Sequence, residues 1–287
     1  METVPMTTMR SARCRPSWRR LLPILLSLVL ALTLVSAGVM TASADMGKPL
    51  FGKKKGDWMY QTVKGGVEIS WDGSKTSVKV PNKLVGKKVI TVTVWDDRVK
   101  KVDATAAKSM KKLTLYGTKL TSLDVSKCPE LRDFASLNSP IAKIDLSGSK
   151  KLVYVQVHHA KITSLNVSNR AKLEVINLEN LSLLKTLKAS GNPSLDRLFV
   201  MNTKLTSLDL TGCSKARHLA LSDNRLKSLK LPKNATVQNL YINGNPGLRV
   251  DARSQRRTLK EVRYSPNGGS QMVSADMRST NYIYQNR

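Results

Sequence analysis

The chain has 287 residues and carries 48 lysines and arginines against 20 aspartates and glutamates, a formal net charge of +28. A charge of that size attracts anionic polymers and surfaces and leaves the fold unspecified. Acidic residues are sparse, and no Gly-Lys phosphate loop, His-Glu-x-x-His or Gly-x-Ser-x-Gly motif occurs, so the chain offers no catalytic constellation and is not expected to be an enzyme.

The first 44 residues read as a secretory signal. Arg10, Arg13, Arg15, Arg19 and Arg20 form a basic segment, Leu21 to Val39 is an almost unbroken apolar run, and Ala42 to Ala44 is a small-x-small cleavage site before Asp45. The run is also long enough to span a bilayer, so an uncleaved anchor stays open as the only membrane contact. Removing five arginines and one glutamate with this segment leaves a net charge of +24 on residues 45–287. Residues 45–88 are expected to form a β-rich N-terminal cap.

From residue 89 onward the chain repeats. The pentapeptide LTSLD occurs at Leu120 to Asp124 and again at Leu205 to Asp209. Equivalent starts fall at Val99, Leu120, Ile141, Ile162, Leu184, Leu205 and Leu226, in steps of 21 with a single step of 22. One extra residue therefore lies between Ile162 and Leu184. Halfway through each unit stands a second apolar triplet, such as Leu113 and Leu115 after Met110, or Ile176 and Leu178 after Leu173. Its period of two places the apolar residues on one side of a short strand. Ser, Thr, Gly, Asn, Asp and Pro between triplets favour sharp reversals. A unit of this length cannot bury its own apolar side, whereas stacked neighbours can, so the period predicts a solenoid of about nine coils over residues 89–264. The tail, residues 265–287, is expected either to cap the last coil through Tyr282, Ile283 and Tyr284 or to be disordered.

The stretch ARHLALSDNRL, Ala216 to Leu226, resembles a leucine-rich repeat, and units such as LTSLDVSKCPEL resemble the short repeats of internalin-like bacterial surface proteins. Residues Trp58 to Val89 are similar to the leader unit of BspA-type leucine-rich repeat proteins. The resemblance implies a leucine-rich repeat solenoid with parallel β-strands on a concave face, short strand and turn segments on the convex side, and an N-terminal β-hairpin cap. At the family's Asn position the chain has Asp97, Thr118, Ser139, Ala160, Leu181, Thr203, Asn224 and Asn245. The central coils are therefore expected to lose the turn hydrogen bonds that Asn supplies.

The same resemblance places the side chains between the apolar positions on the exposed concave sheet, where a partner would meet them. The partner-binding candidates are Trp95, Tyr116, Tyr154, Gln156, His158, Phe199, Met201, His218 and Tyr241, with Asn177 and Glu179 among the other outward positions. Rigid aromatics supply contact area when a partner covers them; packing against neighbours on the same sheet is the alternative. Arg98, Lys119, Lys161, Lys204 and Arg225 occupy one register position before the first leucine and are the polyanion-binding candidates. A facing column of Asp103, Asp124, Asp145, Asn166, Lys188, Asp209 and Lys230 is expected to neutralise part of it.

His158 and His218 belong to coils about three strand spacings apart, roughly 14 Å, too far to share one metal ion. Cys128 and Cys213 are four coils apart, beyond the roughly 7 Å a disulfide spans, and read as two buried thiols. No metal and no cofactor is expected. The expectation is a monomeric secreted or cell-surface module that binds an extracellular protein, with an electrostatic binder of anionic cell-wall polymer or glycan as the alternative. Nucleic acid is not expected as the physiological target.

Overall fold

A computed structural model describes residues 52–252 and 254, with the backbone of three strands at 261–264, 271–273 and 283–284. The expected signal segment lies outside the described residues, as does most of 265–287. Among the described residues there is no helix.

The chain opens with β1 (Lys53–Lys55), β2 (Trp58–Val63), β3 (Gly66–Trp71), β4 (Ser77–Lys79) and β5 (Lys83–Leu84), then enters β6 (Lys87–Trp95). Long and short strands then alternate: β7 (Lys101–Asp103), β8 (Lys112–Tyr116), β9 (Ser122–Asp124), β10 (Asp133–Leu137), β11 (Lys143–Asp145), β12 (Tyr154–His158), β13 (Ser164–Asn166), β14 (Val175–Leu181), β15 (Thr186–Lys188) and β16 (Arg197–Thr203). The series ends with β17 (His218–Ala220), β18 (Ser228–Lys230), β19 (Asn239–Tyr241), β20 (Arg249–Asp251), β21 (Glu261–Tyr264), β22 (Gln271–Val273) and β23 (Ile283–Tyr284).

One sheet runs β1-β2-β3-β6-β8-β10-β12-β14-β16-β17-β19-β21-β22. Its first strands form an antiparallel hairpin, β2 with β3, and pairing is parallel from β3 to β21. The short strands β9 with β11, β13 with β15, and β18 with β20 pair on the opposite wall. This is a parallel β-solenoid of about nine coils. Beyond the last full coil, β22 and β23 pair antiparallel onto β21 and β20.

The alternation seen in sequence becomes a stack of core rows. Val92, Leu113, Phe134, Val155, Ile176, Leu198, Leu219 and Leu240 face one another strand by strand, and all are buried. Across the interior stand Leu120, Ile141, Ile162, Leu184, Leu205 and Leu226, fully buried. Ser136 interrupts the neighbouring row between Leu115 and Val157; it is fully buried, and among the described residues its hydroxyl has no hydrogen-bond partner.

The turns keep their register by means the Asn column did not reveal. Gly117, Asn138, His159, Asn180, Asn202, Asp223 and Gly244, each one residue before that column, all take positive φ between 52° and 66°. A left-handed residue reverses the chain, and Gly, Asn and Asp tolerate that conformation best. The expected loss of turn bonding in the central coils is therefore confined to the side chains of Ala160 and Leu181. At either end the column does bond: Thr118 Oγ1 to Ser139 Oγ at 2.8 Å, and Asn224 Nδ2 to the carbonyls of Val200 and Leu221 at 2.7 and 2.9 Å. The extra residue is placed between Leu181 and Leu184. There Ser182 and Leu183 form an additional turn closed by Leu184 N to Leu181 O, 2.9 Å, which leaves Leu183 40% exposed.

On the opposite side of each coil one buried side chain bonds the backbone of the coil before it. Cys128 Sγ donates to Ala104 O, Ser149 Oγ to Val125 O, Arg170 Nη2 to Leu146 O, Asn192 Nδ2 to Val167 O, and Cys213 Sγ to Ala189 O. Sequence spacing reads the two cysteines as buried thiols. They are free and buried, and they are also rungs of this ladder.

Candidate partner-binding face

Three columns of side chains point outward from the long sheet. Strand register aligns Lys112, Asp133, Tyr154, Val175, Arg197 and His218 in the first, and Thr114, Ala135, Gln156, Asn177, Phe199, Ala220 and Tyr241 in the second. Trp95, Tyr116, Leu137, His158, Glu179 and Met201 form the third.

The nine partner-binding candidates all fall in these columns, yet they form separate groups. Trp95 is 48% exposed and packs edge-on against half-buried Tyr116, with ring centroids 4.8 Å apart. Buried Leu137 separates that pair from the middle of the row. There Tyr154 Oη donates to Gln156 Oε1 at 2.9 Å, and Gln156 Nε2 lies 3.2 Å from His158 Nε2. Gln156 is only 3% exposed. Its part is to hold Tyr154 and His158 in place, and it presents almost no surface to a partner. Phe199 and Met201 are half-buried on β16, opposite Asn177 and Glu179. His218 is half-buried with Nδ1 2.8 Å from Asn239 Oδ1, and Tyr241 lies across from Ala220.

Burial shapes the electrostatics of the central group. It holds the His158 imidazole well below its usual range, at about 4, and raises the carboxyls of Glu179 and Asp133. It also raises the Tyr154 phenol, which faces the charges of Glu179 and Asp133. Each shift disfavours the charged form in a site partly withdrawn from water. Asp196, at the foot of β16, accepts from Arg217 Nε at 2.6 Å and lies 3.5 Å from Arg197 Nε. Arg197, buried on the outward face, was not anticipated. Its signal in the sequence is an arginine at a strand position whose equivalents include Tyr154 and His218.

The basic column is less uniform than its register suggests. Arg98 is engaged, its guanidinium 2.7 Å from Asp96 Oδ2 and 3.2 Å from Gly73 O. Lys119, Lys161 and Arg225 are exposed and Lys204 is half-buried, and among the described residues none of the four has an acidic partner. The facing acids act on the backbone. Asp124 Oδ1 accepts from Ser126 N, Asp145 Oδ1 from Ser147 N and Asp209 Oδ1 from Thr211 N, at 2.8 to 2.9 Å. Hydrogen bonds from Thr105, Ser147 and Thr211 hold the carboxyls of Asp103, Asp145 and Asp209 below the usual range. Asn166 makes the same turn with Ser168. No ion pair links the two columns among the described residues, and the expected neutralisation acts only at a distance.

Among the described residues no three His, Cys, Asp or Glu side chains gather as a metal site. No protein-family model and no curated protein matches the chain. Among solved structures, the functional domain of InlJ from Listeria monocytogenes, which includes a cysteine ladder, is similar at a TM-score of 0.33 and 16% sequence identity. The match covers 65% of this chain and 47% of that one, about half its length.

Proposed function

We propose that the chain is a binding module, not an enzyme, of a secreted or cell-surface protein, and that it engages an extracellular protein through the outer face of the long sheet. The observation that carries this reading is Trp95, 48% exposed and packed edge-on against Tyr116 at one end of a hydrogen-bonded parallel ladder. A large aromatic held open on a rigid sheet gives contact area with little side-chain entropy left to lose on docking. The half-buried Phe199 and Tyr241 extend that surface along the second column. The test is capture of extracellular protein by the immobilised chain, repeated with Trp95, Tyr116, Phe199 and Tyr241 all replaced by alanine. Capture that survives the four replacements refutes the reading.

A second reading, binding of anionic cell-wall polymer or glycan, is favoured by Lys119, Lys161, Lys204 and Arg225, which follow one edge without acidic partners among the described residues. Long-range attraction of this kind fades as salt shortens the screening length. Binding that vanishes at moderate ionic strength and survives the aromatic replacements selects it.

A further inference from the structure

In a chain with a net charge of +28, one buried acid on the outer face has no cation against it among the described residues. Glu179 is 7% exposed, with His158 beside it on β12 and Met201 on β16. Its neighbours among the outward acids are answered: Asp133 lies near Lys112 and Arg132, and Asp196 contacts Arg217 and Arg197. Among the described residues Glu179 has no charged partner nearer than His158, at 3.9 Å from Nε2 to Oε1, and the side chain that hydrogen-bonds it is the neutral amide of Asn177. That nitrogen is already engaged. Gln156 Oε1 accepts from Tyr154, so its amide nitrogen faces His158 Nε2 at 3.2 Å as a donor, and the imidazole nitrogen must accept. A neutral, accepting nitrogen gives a carboxylate nothing.

A second acceptor stands beside it. Asn177, two residues before Glu179 on the same face, is 5% exposed, and its Oδ1 has no hydrogen-bond partner among the described residues. Leaving such an acceptor unmet is costly, so each case in a folded protein calls for an explanation. Across the strand pair, Phe199 faces Asn177 and Met201 faces Glu179. The floor thus offers a carboxylate and an amide oxygen beside an apolar wall, which suits a cationic donor carried on an apolar stem. Lysine and arginine side chains have that form. A bare divalent cation fits less well, since hard cations gather several oxygen ligands and only two are offered here.

We propose that Glu179 and Asn177 receive a lysine or arginine side chain of the protein partner, its charged head on the two oxygens and its methylenes along Met201 and Phe199. The proposal rests on the reading of this face as the partner-binding surface. A basic partner residue here would also give the strongly basic module a point of discrimination: an acidic partner gains from the overall charge, but only one with a correctly placed cation satisfies the floor.

The test is a titration of the purified protein with Nα-acetyl-arginine amide and Nα-acetyl-lysine amide, with Nα-acetyl-norleucine amide and calcium as comparisons, followed through the His158 ring protons by NMR. Saturable shifts with both basic amides are expected, about tenfold weaker with norleucine amide. Glu179→Gln, nearly isosteric, should weaken binding of the basic amides by about tenfold or more, and Asn177→Leu should weaken it in the same direction, with melting temperatures reporting that both variants fold. Equal response to norleucine amide, no saturation up to high millimolar concentration, a response to calcium alone, or undiminished binding by Glu179→Gln each overturns the proposal. Partner capture that Glu179→Gln leaves intact but the aromatic replacements abolish removes this inference and keeps the binding-face reading. Titration as expected with capture insensitive to the aromatics keeps the cation site, and removes the binding-face reading and with it the assignment of the cation to a protein partner.

Discussion

Replacing His158 by glutamine should flatten the acid side of the stability profile. In the fold burial holds the imidazole at about 4, against roughly 6.5 in an unfolded chain. The unfolded state therefore takes up the proton first as pH falls. The stability this histidine contributes is fully present above about pH 6.5 and is lost as pH falls toward 4. About 2.5 pH units at about 1.4 kcal/mol each amount to roughly 3 kcal/mol, most of it gone by about pH 4.5. Glu179 and Asp133 act with the opposite sign: their raised carboxyls destabilise the fold when ionised, and protonation on acidification relieves that. The wild-type curve alone mixes these contributions. Urea unfolding of wild type and His158→Gln at about pH 7 and about pH 4.5 separates them, because every group other than His158 is common to both proteins. Glutamine keeps an acceptor for the Gln156 amide. The wild type should lose about 2 to 3 kcal/mol more than the variant over that interval. Parallel losses would show that the imidazole is not held neutral by its site, and with it would fall the claim that Glu179 faces an accepting nitrogen.

Other parts of the coil geometry make equally direct demands. A Cβ at Gly148 would overlap the carbonyl oxygen of Ser126 in the preceding coil, so Gly148→Ala should cost about 3 kcal/mol in urea unfolding; a neutral result would mean that the two coils do not approach as described. Ser136→Ala should stabilise the protein by about 1 kcal/mol in the same assay, because it removes a buried hydroxyl that has no partner. Burial pushes the Cys128 thiol up to about 11 and raises Cys213 as well. At about pH 8 the Cys128 thiolate should then react with a disulfide reagent roughly two hundredfold more slowly than a free cysteine, and denaturant should release both thiols. Substituting glutamine at Lys119, Lys161, Lys204 and Arg225 together should change stability by less than about 1 kcal/mol, since none has an acidic partner, while lowering the salt needed to elute the protein from a sulfated polysaccharide column. Unchanged elution would locate the charge-driven binding elsewhere.

The 21-residue period was enough to assign a solenoid, its coil count and nearly every core residue, because alternation within a strand and stacking between coils are both written as spacing. Leu113, Phe134, Val155 and Ile176 could be named as one core row from their positions alone. Spacing also held a signal that went unread: Gly, Asn, His and Asp recur one residue before the expected Asn column, and that recurrence marks the left-handed turns. Equally legible was the set of outward residues, since their columns follow from the register.

Which outward residues remain accessible was not legible. Gln156, Asn177 and Glu179 occupy the same kind of position as Trp95, yet they are 3 to 7% exposed and it is 48% exposed. Exposure on a sheet depends on the bulk of side chains on the two adjacent strands, which lie 21 or 22 residues away in sequence and are brought within one strand spacing by folding. The direction of a hydrogen-bond network is decided the same way. That Tyr154 fixes Gln156, Gln156 fixes His158, and Glu179 is left facing an accepting nitrogen follows from side-chain orientations settled only in the packed sheet. The coil and its columns were readable from residue spacing, because these depend on local alternation and a fixed repeat. Which members of a column meet water, which bond one another and which carboxylate goes unanswered became visible in the folded chain alone, because those outcomes depend on contacts between coils that no single repeat contains.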